Sequence, residues 1–291
     1  MAGKRRIVVT GAKGLIGSYL VEMGEAEWIS VVRPSGHAVD GEVPIDLESS
    51  WDCTQTGLPE KCDAVIYLAQ SSSYRELPEK SASLFQCNVV SAASMLRYAE
   101  LAGARSFVYA STGSVYVNSE ESRVITEGSP VISHPCDNSL YPWSKLTGET
   151  VVNSFSDRMA VTNLRFFFVY GKGGDRQMLL PRIARNVVEG NEVVVQGNSG
   201  LGVCPTYAGD AAEICLKATE LEGTRTINVA GPETIGLKQI AEQIGEKAGK
   251  QPHLKCVQGK PPWFHVDVSR MVECLGRPPV SFADKAACLL E

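Results

Sequence analysis

The segment Ile7-Val8-Val9-Thr10-Gly11-Ala12-Lys13-Gly14-Leu15-Ile16-Gly17 constrains this chain more than any other. A short run of β-branched residues reads as a buried strand, and glycines then recur every third position into a helical pattern. A turn tight enough to join strand to helix needs a residue that tolerates positive φ. A second glycine lets the backbone approach a pyrophosphate, and a third lets the helix pack closely on the strand. The N-terminus of that helix then presents unpaired N–H groups and the positive end of its dipole to phosphate. A glycine triplet alone is a weak signal. Here it follows the first strand, and the next strand ends about fifteen residues later, which is the context of a dinucleotide-binding turn. Gly11, Gly14 and Gly17 are its expected cradle, with Lys13, Leu15 and Ile16 lining it.

The second strand ends Val31-Val32-Arg33-Pro34-Ser35. Sites for NAD usually place a carboxylate there for the ribose 2′-hydroxyl. Arg33 occupies that place and Lys13 sits inside the glycine turn, two cations able to face a 2′-phosphate. The expectation therefore tilts to NADP, with NAD as the alternative.

Beyond this unit, apolar runs near 28–32, 64–68, 106–110, 161–168 and 226–229 alternate with helical patterns near 15–23, 83–102, 141–155, 178–189 and 209–220. Such alternation predicts a Rossmann-like, doubly wound α/β fold around a parallel sheet. The strands are continuously apolar, as burial on both faces requires. The expected dinucleotide-binding domain spans 1–170, with 204–230 returning to it. Residues 171–203 and 231–291, including a short strand at 192–195, form a smaller mixed α/β substrate lobe over the sheet's carboxyl edge.

Composition excludes several classes. A net charge of -5 gives no reason to expect nucleic acid or an anionic membrane surface. No apolar run reaches the roughly 18 residues of a membrane span, and the segment after Met-Ala-Gly-Lys-Arg-Arg is too short for a secretory leader. Nine scattered cysteines without a C-x-x-C read as free thiols in a reducing cytoplasm, and four dispersed histidines give no metal-ligand spacing.

Tyr141-Pro142-Trp143-Ser144-Lys145 places a phenol and an ammonium four residues apart on one helix face, with Pro142 suited to a first turn. A tyrosine titrates near 10, so proton transfer at neutral pH needs a neighbouring cation. Upstream, Phe107-Val108-Tyr109-Ala110-Ser111-Thr112 is a strand ending in hydroxyls that could hold a carbinol. Spacing alone is weak; its position after that strand strengthens it.

These segments, together with 64–69, Asn88 and 164–171, resemble the extended short-chain dehydrogenases, the nucleotide-sugar epimerases, dehydratases and reductases. The likeness runs from residue 7 to about 283, and Asp267 to Leu275 with Gly276 and Pro278-Pro279 is similar to that family's tail. The resemblance implies Tyr141 as acid/base, Thr112 on the reacting hydroxyl with Ser111 beside it, and Lys145 on the nicotinamide ribose. It implies Asp46-Leu47 beside the adenine, Leu68, Ala69 and Gln70 along the cofactor cleft, and Asn88 on the helix behind. It also implies a homodimer paired through helices near 83–102 and 141–157.

Three departures narrow the chemistry. Family dehydratases carry Asp-Glu after the threonine, whereas Gly113 and Ser114 stand here, so water elimination is disfavoured. Decarboxylating relatives usually carry a Glu near Ser114, which weakens that reading too. Val203 replaces an Arg that clamps the substrate diphosphate; Arg176, Arg182, Arg185 or Lys260 are the available substitutes. Val117 replaces a Gly, and Phe167-Phe168 replace a polar Asn. The expectation is a nucleotide-sugar epimerase or 4-ketoreductase moving hydride to or from nicotinamide. Open alternatives are an NADP-dependent reductase of a non-sugar carbonyl and a catalytically silent dinucleotide sensor.

Overall fold

A computed structural model describes residues 3–34, 39–117, 121–133, 140–276 and 280–291. Ser35, Pro278 and Pro279, named above, lie outside the described residues. Strands β1 (Arg6–Thr10), β2 (Glu27–Val32), β3 (Glu42–Pro44), β4 (Ala64–Tyr67) and β5 (Ser106–Thr112) join Ala160–Phe166 and Thr224–Val229 in one sheet. From one edge the order is Thr224–Val229, Ala160–Phe166, β5, β4, β1, β2, β3. β1 pairs in parallel with both β2 and β4, and β2–β3 and β4–β5 are parallel as well. The winding reverses between β1 and β4, making a topological switch point beside the glycine turn. This is the expected doubly wound α/β fold. Every residue of β4 and β5 is buried, which is why those runs are apolar without alternation. The short edge strand β3 carries too few residues to stand out in the sequence.

Helices α1 (Leu15–Glu22), α2 (Ser81–Phe85), α3 (Ser91–Leu101) and α4 (Leu140–Asn153) belong to the sheet-forming part of the chain. The single helix expected near 83–102 is interrupted by a π-helical turn at Gln86–Val90. A π turn breaks the i→i−4 ladder and frees carbonyls. Two buried tyrosines supply donors: Tyr67 Oη donates to Cys87 O at 2.6 Å and Tyr109 Oη to Asn88 O at 2.8 Å. Their rings stack with centroids 5.9 Å apart. Helical periodicity cannot reveal this interruption, because its compensating donors arrive from β4 and β5.

The chain forms two compact units. The first comprises Met1–Tyr116, Pro130–Arg165 and Ala212–Ile227; the second comprises Val117–Ser129, Phe166–Ala211 and Asn228–Glu291. These extents differ from the expected boundaries chiefly at Val117–Ser129. That segment joins the second unit because Arg123–Ile125 pairs in parallel with Phe264–Val266, a contact far apart in sequence. The second unit has its own core, in which helices Leu179–Glu189 and Leu237–Ala248 pack with Tyr170, Val193, Val203 and Phe282. Strand Glu192–Gln196 alternates buried and exposed residues and pairs with His253–Val257.

All eight described cysteines are free thiols, and Cys136 lies outside the described residues. Among the described residues, no helix is long and apolar enough to cross a membrane.

Helix α4 docks through Gly148. A Cβ there would lie 2.1 Å from Tyr109 Oη and 2.8 Å from Asn88 O, so only glycine permits this approach. Gly148→Ala is expected to lose roughly 1–3 kcal/mol of stability in urea denaturation. An unchanged midpoint would show that the helix can shift freely.

Candidate functional site

The glycine turn closes as its residues dictate. Gly11 has φ +72°, and a Cβ on it would meet Leu68 C at 3.0 Å and Ala69 N at 3.1 Å. At Gly17 a Cβ would fall 2.2 Å from Gly11 O, so α1 starts in direct contact with the turn. Gly14 is the α1 N-cap and makes no side-chain cap bond, while Leu15 and Ile16 are part-buried in the first turn. Ala69 N donates to Thr10 Oγ1 at 3.0 Å, tying the end of β4 to the end of β1. Next to Ala69, both amide atoms of Gln70 are buried without a hydrogen-bond partner among the described residues. A buried amide with nothing to bond is costly unless a ligand completes it. A close-approach glycine backbone, a helix N-terminus and this amide together fit a dinucleotide. Leu68 is part-buried beside them.

The two cations thought to face a 2′-phosphate are otherwise engaged. Lys13 Nζ lies 2.7 Å from Glu42 Oε1, and Arg33 Nη2 lies 3.1 Å from Glu48 Oε1. Glu48 also accepts from Ser72 N at 2.9 Å and Ser72 Oγ at 3.1 Å. Each cation thus brings a carboxylate, and the pairs sum to no net positive charge. The expected preference for NADP finds no support in these pairings. Asp46 closes its own turn, accepting from Glu48 N at 3.0 Å and Ser49 Oγ at 2.6 Å. Leu47 is buried, and its carbonyl accepts from Ser91 Oγ at 2.7 Å, fixing this loop to α3.

Helix α4 carries the second half of the site. Ser144 Oγ donates to Tyr141 O at 2.7 Å and accepts from Asn88 Nδ2 at 2.9 Å. Asn88, grouped above with the cofactor residues, is fully buried and serves to anchor α4. Tyr141 is part-buried. Burial pushes its phenol up to about 12, a hydrogen bond from the Thr112 side chain pulls it down, and neighbouring Tyr74 adds to the rise. Thr112 Oγ1 accepts from Ser114 N at 3.2 Å, so its own proton is left for the Tyr141 oxygen. Lys145 Nζ donates to Ala110 O at 3.0 Å and lies 5.3 Å from the Tyr109 ring centroid. Burial lowers it to about 8, opposed by Cys87 and Glu149. Ser111, expected beside Thr112 in catalysis, instead donates to the Glu149 carboxylate.

Residues the sequence reading left out include Tyr74, whose ring centroid is 5.7 Å from that of Tyr141, and the buried pair Glu149–Arg165. Glu149 was in principle visible, one helical turn beyond Lys145 on the same face. Nothing in the sequence points to Tyr74.

The departures also have structural content. Gly113 and Ser114, which carry no carboxylate, follow Thr112 in a 3₁₀ turn spanning Gly113–Val115. Val203 is wholly buried in the core of the second unit. Arg176, Arg182, Arg185 and Lys260 are exposed. Phe168 adopts φ +42°, a left-handed conformation that asparagine tolerates and phenylalanine resists.

The low Lys145 value carries a stability consequence. Between about pH 8 and 10 the unfolded chain holds the lysine proton and the folded chain has released it, so stability rises with pH. Over the full shift this amounts to roughly 3 kcal/mol. Lys145→Met is expected to flatten the rise in melting temperature between pH 8 and 10; equal slopes in the two proteins would contradict the burial of a titrating ammonium.

A sequence-family model described as the NAD dependent epimerase/dehydratase family matches residues 7–230. A UDP-N-acetyl-alpha-D-glucosaminuronate decarboxylase from Bacillus cytotoxicus is 27% identical over 314 residues, covering 96% of this chain and 94% of the relative. The fold is similar to that of UDP-N-acetylglucosamine 4-epimerase from Methanobrevibacter ruminantium, solved with UDP-N-acetylmuramic acid. The TM-score is 0.84 at 18% identity, over 99% of this chain and 98% of that one. UDP-glucose 4-epimerase from Thermus thermophilus, solved with NAD, aligns with TM-score 0.79 at 22% identity, over 98% and 97% of the chains.

Proposed function

Because the chain belongs to the NAD-dependent epimerase/dehydratase family, we propose that it is a nucleotide-sugar epimerase or 4-ketoreductase working at a sugar carbinol. The observation that carries this is the Thr112–Tyr141 contact at the end of β5, with Lys145 one turn along α4. Bound nicotinamide dinucleotide supplies the hydride acceptor or donor. Gly11, Gly14 and Gly17 would hold its diphosphate, Asp46 and Leu47 its adenosine end, and Ala69 and Gln70 its inner edge. Lys145 would bind the nicotinamide ribose from its place under Ala110 O.

The proton chemistry belongs to Tyr141. At neutral pH its phenol is protonated, as a general acid towards a ketone oxygen requires. In the oxidative direction it must first lose that proton, and the Thr112 hydroxyl favours the phenolate by donating to it. With Gly113 and Ser114 following Thr112, no side chain there can pass a second proton for water elimination. The chemistry these residues supply is therefore redox of the carbinol. NAD is favoured over NADP, because Glu42 and Glu48 cancel the cations that would attract a 2′-phosphate. The substrate-binding role of the second unit and pairing through the helices near 83–102 and 141–157 belong to the same proposal.

Decarboxylation is the second reading. The similarity to a UDP-sugar decarboxylase favours it, and oxidation at the same carbinol would precede loss of the carboxyl group. Product analysis by mass spectrometry separates the two outcomes.

With a panel of UDP-, GDP-, CDP- and dTDP-sugars, wild-type protein is expected to turn over at least one. Tyr141→Phe should lower that rate by about a hundredfold or more while leaving dinucleotide affinity within about threefold. Fluorescence titration should show NADH binding at least as tightly as NADPH. A tenfold preference for NADPH would restore Lys13 and Arg33 as phosphate ligands.

A further inference from the structure

Glu149 lies on α4 one turn beyond Lys145 and two turns beyond Tyr141, and its carboxylate is 5% exposed. Arg165 is 8% exposed and grips it in a fork, with Nε 2.9 Å from Oε1 and Nη2 2.6 Å from Oε2. Ser111 donates to the same Oε1, and the Arg165 guanidinium lies 4.9 Å from the Tyr116 ring centroid. The pair thereby joins α4, the hydroxyl end of β5 and the strand Ala160–Phe166. A buried ion pair is poorly explained by stability alone, since apolar residues of similar volume often do as well.

We propose that Glu149 and Arg165 are a positioning pair that keeps Lys145 charged beside the reacting centre and holds the end of β5 against α4. This rests on the function proposed above, in which Lys145 binds the dinucleotide. Glu149 touches no reacting atom and acts through its neighbours. The groups facing Lys145 are Glu149 on its own helix, Cys87 on the π turn, and the Tyr109 ring with Ala110 O on β5. Of those that raise its pKa, Cys87 has its own thiol pushed up to about 11 by burial, so it is neutral where Lys145 titrates. Glu149 is left as the standing negative charge. Arg165 in turn holds the ionised carboxylate in one orientation through its two hydrogen bonds, so that the charge of Glu149 is accommodated in the interior. Ser111 completes the arrangement by tying Thr112's neighbour to the same oxygen.

The test compares the full-length wild type with Glu149→Gln and with the double variant Glu149→Gln/Arg165→Met. The single variant leaves Arg165 buried and unpaired and is prone to misfold; the double variant removes both charges and keeps the question open to measurement. NADH affinity is followed by fluorescence from about pH 6 to 10, with circular dichroism to verify folding. Wild-type affinity is expected to fall as Lys145 loses its proton near pH 8. In the double variant the midpoint should move down by half a pH unit or more, a loss of about twofold or more in affinity at the wild-type midpoint. Turnover of the panel sugar should fall in parallel, and Glu149→Asp should recover part of the midpoint. An unchanged midpoint in a folded double variant, or a wild-type affinity that does not vary with pH, would overturn the positioning role. A wild type that binds no dinucleotide at any pH would instead remove the proposed function itself.

Discussion

The close docking of α4 on β5 and the π turn is the constraint on which the rest of the site depends. Without a side chain at Gly148, the helix settles onto Tyr109 Oη and Asn88 O. Ser144 then reaches Asn88, and Glu149 reaches both Ser111 and Arg165. Every candidate reacting group on α4 inherits its position from those contacts. Tyr141 meets the Thr112 hydroxyl, and Lys145 donates to Ala110 O, from the helix so docked.

The π turn is the other side of that contact. Its displaced carbonyls would be buried orphans if Tyr67 and Tyr109 did not bond them. Those two phenols are spent on structure, and burial raises both well above their ordinary values. Tyr141, part-exposed at the start of α4, instead meets the Thr112 hydroxyl. Tyr67 and Tyr109 thus share a structural fate that Tyr141 does not, decided by what their oxygens meet.

The dinucleotide turn shows how charge reading differs from charge counting. Lys13 and Arg33 stand where a sequence argues for phosphate recognition, yet each lies against a glutamate brought in from β3 or the loop after it. Exposed pairs of this kind contribute little to stability.

Much of this protein was legible in its sequence, for reasons that are local. The glycine turn requires positive φ and close packing at fixed spacing, so Gly11 and Gly17 declare themselves. Strands buried on both faces must be apolar throughout, so β1, β4 and β5 stand out. Helical spacing alone puts Tyr141, Lys145 and Glu149 on one face. Tertiary structure decided what spacing cannot encode: the interruption at Gln86–Val90, the turning of Ser111 to Glu149, the burial of Asn88 and the approach of Tyr74. Each of these depends on partners twenty or more residues away, whose distance is set only when the strands pair and α4 settles against them.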